Sequence, residues 1–143
     1  MIKKLEESKI DNIMKIWLET NISAHDFISK DYWKQNYDFV KKVLPEANIF
    51  VYEEDGEIKG FIGILEESYI AGLFILNKYQ NEGIGSKLLE KCKEDYSILS
   101  LDVYAKNLKA IKFYKKHGFK IEKEKENDDT KEIEYSMRWN DIH

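Results

Sequence analysis

Residues 69–76, YIAGLFIL, are apolar without interruption. Such a run between polar flanks fits a central β-strand covered on both faces. Behind it lies a polar turn with two glycines, QNEGIG at 80–85. The next stretch places Ile84, Leu88, Leu89 and Cys92 on one side of a helix. SILSLDVYA, 97–105, reads as a second strand. Strand, helix and strand in succession predict two parallel strands joined by a right-handed crossover. That unit commits the chain to a mixed α/β class, with helices covering the sheet.

The other segments arrange themselves around it. Residues 9–23 carry Ile10, Ile13, Met14, Trp17 and Leu18 at helical spacing. A second amphipathic helix is expected over 30–44, stopped by the only proline, Pro45. Residues 47–67 predict a hairpin about Asp55-Gly56, a favoured turn pair. Residues 107–119 read as a helix closed by Gly118. Two strand-like runs, 119–126 and 131–139, finish the chain. The expected order is α-α-β-β-β-α-β-α-β-β, a single domain over 1–143 with a central mixed sheet.

A chain of 143 residues buries roughly two-thirds of its unfolded surface, so it needs no disulfide or metal to fold. The net charge of −4 argues against a general nucleic-acid binder, which shows a basic face. It permits a cationic substrate. No apolar run approaches the ~20 residues that cross a bilayer. The opening MIKKLEESKI lacks the apolar core of a signal peptide. No membrane partner and a cytoplasmic location are therefore expected. One cysteine, Cys92, excludes an internal disulfide. His25, His117 and His143 lack metal-ligand spacing, so no metal is expected.

The glycine turn sits where a strand meets a helix N-terminus. Unpaired backbone N–H groups and the positive end of the helix dipole make such a place an anion site. Gly83 and Gly85 would let a phosphate approach the backbone. A Walker A loop is excluded, since no Gly-Lys-Ser/Thr follows. A dinucleotide fingerprint is excluded because Leu88 stands where its third glycine belongs. A bare Gly-x-Gly also serves as a tight turn that only needs small residues. A second constellation lies downstream. Asn107 follows the second strand and is placed to cap the next helix. Tyr114 comes seven residues later, two helical turns on, so both can face one side.

Together these stretches resemble the GCN5-related N-acetyltransferase (GNAT) superfamily. Its cofactor motif, Gln/Arg-x-x-Gly-x-Gly/Ala, matches QNEGIG at every defined position, and VYAKNLKAIKFYKKHGF resembles its downstream strand, asparagine and helix. AHDFIS, YW and LPEA resemble small bacterial members, some described as protein-lysine acetyltransferases. The resemblance implies an acyl-CoA N-acyltransferase fold whose parallel strands, 69–76 and 97–104, splay apart, and acetyl-CoA as co-substrate. Backbone N–H groups of Gln80, Asn81, Glu82, Gly83, Ile84, Gly85 and Ser86 would bind the CoA pyrophosphate. Leu73, Phe74 and Ile75 would pair with pantetheine as with an added strand. Asn107 would hydrogen-bond the pantetheine arm, and Tyr114 would sit beside the thioester sulfur. Homodimers are frequent in the family.

Direct transfer of an acetyl group to a primary amine needs a neutral amine, a polarised carbonyl and a departing thiol. A backbone N–H near Phe74 or Ile75 could polarise the carbonyl. Tyr114 could protonate the thiolate. His25 is the first candidate for a general base, because only histidine has an ordinary pKa near neutrality. Asp26, Glu66 and Glu67 are alternatives, and His25 could equally be a loop histidine with a structural hydrogen bond. The acceptor, a small amine or a protein lysine, is left open. Two other readings fit the resemblance: a non-catalytic CoA sensor, and a toxin-type enzyme acting on aminoacyl-tRNA. Cys92, on the apolar side of its helix, reads as a buried thiol rather than a nucleophile. Trp17, Trp33, Tyr32 and Phe27 read as core, with an acceptor pocket as the alternative.

Overall fold

The computed structural model describes residues 1–142; His143, one of the three histidines weighed above, lies outside them. A short strand, β1 (Ile2–Lys4), precedes α1 (Ile10–Ala24) and α2 (Lys30–Val43). Three strands follow: β2 (Asn48–Glu54), β3 (Glu57–Leu65) and β4 (Tyr69–Ile75). Then come α3 (Ile84–Asp95), β5 (Ile98–Tyr104), α4 (Leu108–Lys116), β6 (Lys120–Glu126) and β7 (Ile133–Asn140). The strands form one sheet in the order β1-β2-β3-β4-β5-β7-β6.

Local chemistry accounts for most boundaries. Ser29 opens α2 by accepting from the Asp31 N–H at 3.2 Å. Asp55 (φ 54°) and Gly56 (φ 78°) both adopt the left-handed region, the twist a two-residue hairpin turn requires. β1 was not expected. It has one apolar residue and two lysines, and it pairs with β2 through Ile2↔Tyr52, Lys3↔Val51 and Lys4↔Phe50. Ile2 packs on the α3-side core and Lys3 pairs with Glu53 at 2.9 Å, but three residues are too few to show a strand pattern.

Two apolar cores flank the sheet. Leu88, Leu89 and Cys92 of α3 and Ile111 and Tyr114 of α4 pack on one face with Leu99, Leu101 and Val103 of β5. α1 and α2 cover the other through Ile13, Met14, Trp17 and Trp33. Burying Leu88 or Leu89 completely stabilises the fold by about 1.5–3 kcal/mol each.

Two irregularities in β4 shape the site. Gly63 pairs with Gly72 and Ile64 with Ile70, so Ala71 is an extra residue, a bulge. It reverses the side-chain alternation: Ile70, Leu73 and Ile75 all face α3, while Phe74 joins the core under α1. Beyond the bulge β4 leaves β5. The two parallel strands are in register only at Tyr69↔Ser100. The expected splay is present, and it opens a cleft toward the C-terminal ends of both strands.

Candidate active site

The edge that β4 turns toward this cleft has free hydrogen-bonding groups. The Leu76 N–H donates to the Lys59 carbonyl at 2.9 Å, so residue 76 points to β3. Alternation then directs the backbones of Leu73 and Ile75 into the cleft and that of Phe74 into the ladder with Phe61. The Ile75 carbonyl agrees with this, accepting from Gln80 Nε2 on the cleft side at 3.1 Å. Of the three strand residues expected to pair with pantetheine, Phe74 thus contributes its ring and not its backbone.

Past β4 the chain makes a single helical turn and reverses through Asn81 (φ 66°) and Gly83 (φ 83°). Gly83 is the N-terminal cap of α3, and no side chain caps this end. The first intrahelical bond is Lys87 N–H to the Gly83 carbonyl, at 3.1 Å. The N–H groups of Ile84, Gly85 and Ser86 precede it and have no helical acceptor. They line a groove of about 690 Å³ with Leu73, Phe74 and Ile75. Gln80, Asn81, Gly83, Asn107 and Tyr114 also border it. Glu82, the one turn residue off this wall, is exposed.

Asn107 and His25 meet across 82 residues of sequence. Asn107 Oδ1 accepts from the Ala110 N–H at 3.2 Å, which caps α4 and fixes the amide's orientation. Its Nδ2 therefore faces His25 Nε2 at 3.2 Å as a donor, and Nε2 is the acceptor. The His25 proton then sits on Nδ1, which is buried without a partner. His25 stacks on Trp33 with ring centroids 5.4 Å apart. Burial lowers its pKa below the ordinary histidine value, with the Asn21 backbone opposing, so it is neutral at pH 7. Asn107 keeps one N–H and one lone pair for a ligand.

Tyr114 lines the groove while its ring packs against Phe113 and Phe119, with centroids 5.2 and 5.3 Å away. Burial pushes its phenol up, so it keeps its proton throughout the working range. Glu66 and Glu67 are exposed in the turn before Tyr69, the pinched end of β4, which lies roughly 13 Å along the strand from Leu73. They border a separate cavity and do not reach the cleft. Asp26 is exposed next to His25.

Among the groove residues that sequence reasoning passed over, Lys109, Phe113 and Lys116 belong to α4. Their spacing of four and three puts them on one face of α4, the signal that could have found them. Lys109 Nζ donates to Gln80 Oε1 at 2.7 Å, so the glutamine pins the turn to both Ile75 and α4.

Cys92 is fully buried, and burial, with Asp95 adding, pushes its thiol up to about 12. The expected outcome is no alkylation of the native protein by iodoacetamide at pH 7.5, and complete alkylation once it is unfolded. Rapid native modification would contradict this placement. Trp17 and Trp33 are core residues on the α1 side. Among the described residues no cluster of metal-ligating side chains is found and no helix is long and apolar enough to cross a membrane.

A parallel pair splayed beside an uncapped helix N-terminus is the architecture that the sequence resemblance implied. The family model for an acetyltransferase (GNAT) domain matches residues 17–138. The chain belongs to the GNAT acetyltransferase family. This GNAT domain is 34% identical over 140 residues to the Escherichia coli peptidyl-lysine N-acetyltransferase YiaC, covering 97% of this chain and 96% of that one. It is 31% identical to E. coli YjaB, also a peptidyl-lysine N-acetyltransferase, over 90% of this chain and 87% of that one. The solution structure of apo YjaB matches with a TM-score of 0.84 at 28% identity, over 96% of this chain and 95% of that chain. The Thermoplasma acidophilum PaiA N-acetyltransferase, solved with coenzyme A, shares the fold with a TM-score of 0.83 at 20% identity, over 98% of both chains. The GNAT domain is accordingly an acetyl-CoA-dependent N-acetyltransferase.

Proposed function

We propose that this GNAT domain transfers acetyl groups directly from acetyl-CoA to lysine side chains of proteins, with the groove between β4 and β5 as the cofactor site. The observation that carries this reading is the run of unpaired backbone groups along one wall: Leu73 and the Ile75 N–H on the strand edge, then the N–H groups of Ile84, Gly85 and Ser86 at the helix N-terminus. A pantetheine chain needs the first set and a pyrophosphate the second. The order matches the order of groups along CoA.

At the thioester, the N–H of Leu73 or Ile75 is the backbone donor aimed at the cleft, and it stabilises the carbonyl oxygen as charge develops. Tyr114 delivers a proton to the departing thiolate. His25 acts through Asn107: accepting a proton at Nε2 would break the bond from Asn107 Nδ2, so it fixes the pantetheine contact rather than deprotonating the amine. Holding both reactants in one cleft supplies much of the remaining rate.

One observation supports a lysine acceptor. Relatives YiaC and YjaB are peptidyl-lysine N-acetyltransferases. On the face of the sheet away from α3, Asp102 is ionised and half-buried. Burial works against the charge, but bonds from Ser136, Lys125 and Tyr69 hold its carboxyl below the usual range. Glu134 lies beside it on β7, lifted by burial. Lys125 already pairs with Asp102 at 3.0 Å, so this carboxylate leaves no free charge for an incoming acceptor.

The test offers the protein acetyl-CoA with lysine peptides blocked at the N-terminus, and separately with spermidine. Intact-mass detection of one acetyl group on the peptide lysine is the expected outcome. Turnover of spermidine alone would replace the lysine reading with a small-amine one. Absence of turnover with either would remove both.

A further inference from the structure

His117 ends α4 with its ring against Phe113, centroids 4.7 Å apart. Its Nε2 lies 3.0 Å from Ser86 Oγ, and its Nδ1 lies 3.4 Å from a Glu90 carboxylate oxygen. Ser86 lines the groove in the first turn of α3, next to the free N–H groups. A serine, a histidine and a glutamate are thus in line, and the serine end opens onto the proposed phosphate site. No step of the acetyl transfer uses them.

The hydrogen positions follow from the partners. A carboxylate accepts only, so the neutral ring carries its proton on Nδ1, toward Glu90. Nε2 is then an acceptor, and the Ser86 hydroxyl spends its hydrogen on it. In that state Ser86 offers a phosphate only lone pairs, which repel. When Nε2 gains a proton the direction reverses. The imidazolium donates to Ser86 Oγ, and the hydroxyl hydrogen is released toward the groove.

We infer that His117 is a positioning residue for the cofactor: binding of the CoA pyrophosphate draws one proton onto His117 Nε2, which turns the Ser86 hydroxyl to donate to a phosphate oxygen. The inference rests on the reading of the groove as the CoA site. The proton comes from solvent and returns to it when the cofactor leaves, and no bond other than N–H and hydrogen bonds changes.

The charged groups around the ring set the sign. Glu90, on α3, favours the imidazolium, while Lys93 of α3 and Lys116 of α4 oppose it. Lys93 also holds the His117 carbonyl at 2.6 Å. In the free protein burial outweighs Glu90 and keeps the ring below the ordinary histidine value, so it is neutral at pH 7. A bound dianionic pyrophosphate raises that value. A group raised on binding strengthens the complex fully below its free-state pKa, and the gain is lost as pH rises through its bound-state pKa. Affinity therefore falls with pH from below the ordinary histidine value upward, by up to about tenfold per unit, the limit for one linked proton.

The experiment is calorimetric titration with dephospho-CoA between pH 5.5 and 8.5, in two buffers of different ionisation enthalpy. This probe keeps the pyrophosphate and lacks the separately titrating 3′-phosphate. The wild type is expected to take up a fraction of a proton on binding and to lose affinity with pH. His117→Gln, which keeps a side-chain N–H donor to Ser86, and Ser86→Ala are expected to bind with no proton uptake and a flat profile. Wild-type binding without proton uptake would overturn the relay while leaving the groove reading intact. The same would follow if both variants kept the wild-type slope. Absence of wild-type binding at every pH would overturn both.

Discussion

Replacing Tyr114 with phenylalanine lowers kcat by about 10²–10⁴-fold, the range for loss of a positioned acid, and leaves acetyl-CoA binding nearly unchanged. The ring is the structural part of this residue. It is 7% exposed and packs edge-on against Phe113 and Phe119. Phenylalanine keeps those contacts and removes only the hydroxyl on the groove wall. Alanine is the wrong probe, because truncating a buried aromatic costs about 3–5 kcal/mol and confuses folding with chemistry. The phenol is raised by burial, so it does not ionise near neutrality, and any basic limb in the kcat profile between pH 7 and 9 persists in the variant. Single-turnover release of CoA thiol, followed beside calorimetric binding, separates the two effects. An unchanged release rate would mean that the thiolate leaves without Tyr114, and the proton would have to come from water.

What the sequence disclosed divides by range. Helices and the hairpin were legible because their signals are local. Ile84, Leu88, Leu89 and Cys92 mark a helix face by spacing alone, and Asp55-Gly56 marks a turn by the φ values it tolerates. The crossover from β4 to β5 followed from element order. β1 was not legible, since a three-residue edge strand is too short to show a pattern. Nor was the bulge at Ala71, although it decides which backbone groups face the cleft. Small residues at 71 and 72 allow a bulge without announcing one. In the site, the turn, Asn107 and Tyr114 were found through motif spacing. The pairing of His25 with Asn107 and of Ser86 with His117 was not, because each bond joins segments brought together only by the sheet. The first candidate for a base, His25, has its Nε2 facing Asn107 at 3.2 Å, a contact that intrinsic pKa does not disclose.

The two glycines of the turn are glycines for different reasons, and this separates folding from binding at Gly85. Gly83 sits at φ +83° with nothing within 4 Å of where a Cβ would be. Its backbone conformation demands glycine, so a substitution there strains the turn whatever the ligand does. Gly85 has helical geometry. A Cβ there would lie 3.4 Å from Phe113 Cζ and 3.9 Å from Ile75 Cγ1, ordinary contacts with two residues of the groove wall. The protein itself has room for a Cβ at 85, so on the proposed reading a need for glycine there comes from the ligand. Gly85→Leu is expected to fold with equal or higher Tm, since glycine is the poorer helix former by up to about 1 kcal/mol. Its side chain would extend into the space where the pyrophosphate meets the N–H groups of Ile84, Gly85 and Ser86. Loss of two charge-assisted hydrogen bonds at about 1.5–3 kcal/mol each weakens acetyl-CoA by at least ~100-fold. Gly85→Ala, with one carbon at van der Waals distance, falls between the two. Thermal denaturation beside calorimetric titration reads both quantities on the same samples. A folded Gly85→Leu protein that binds acetyl-CoA like the wild type would remove the cofactor from this groove, and the uncapped turn would then be only the start of a helix.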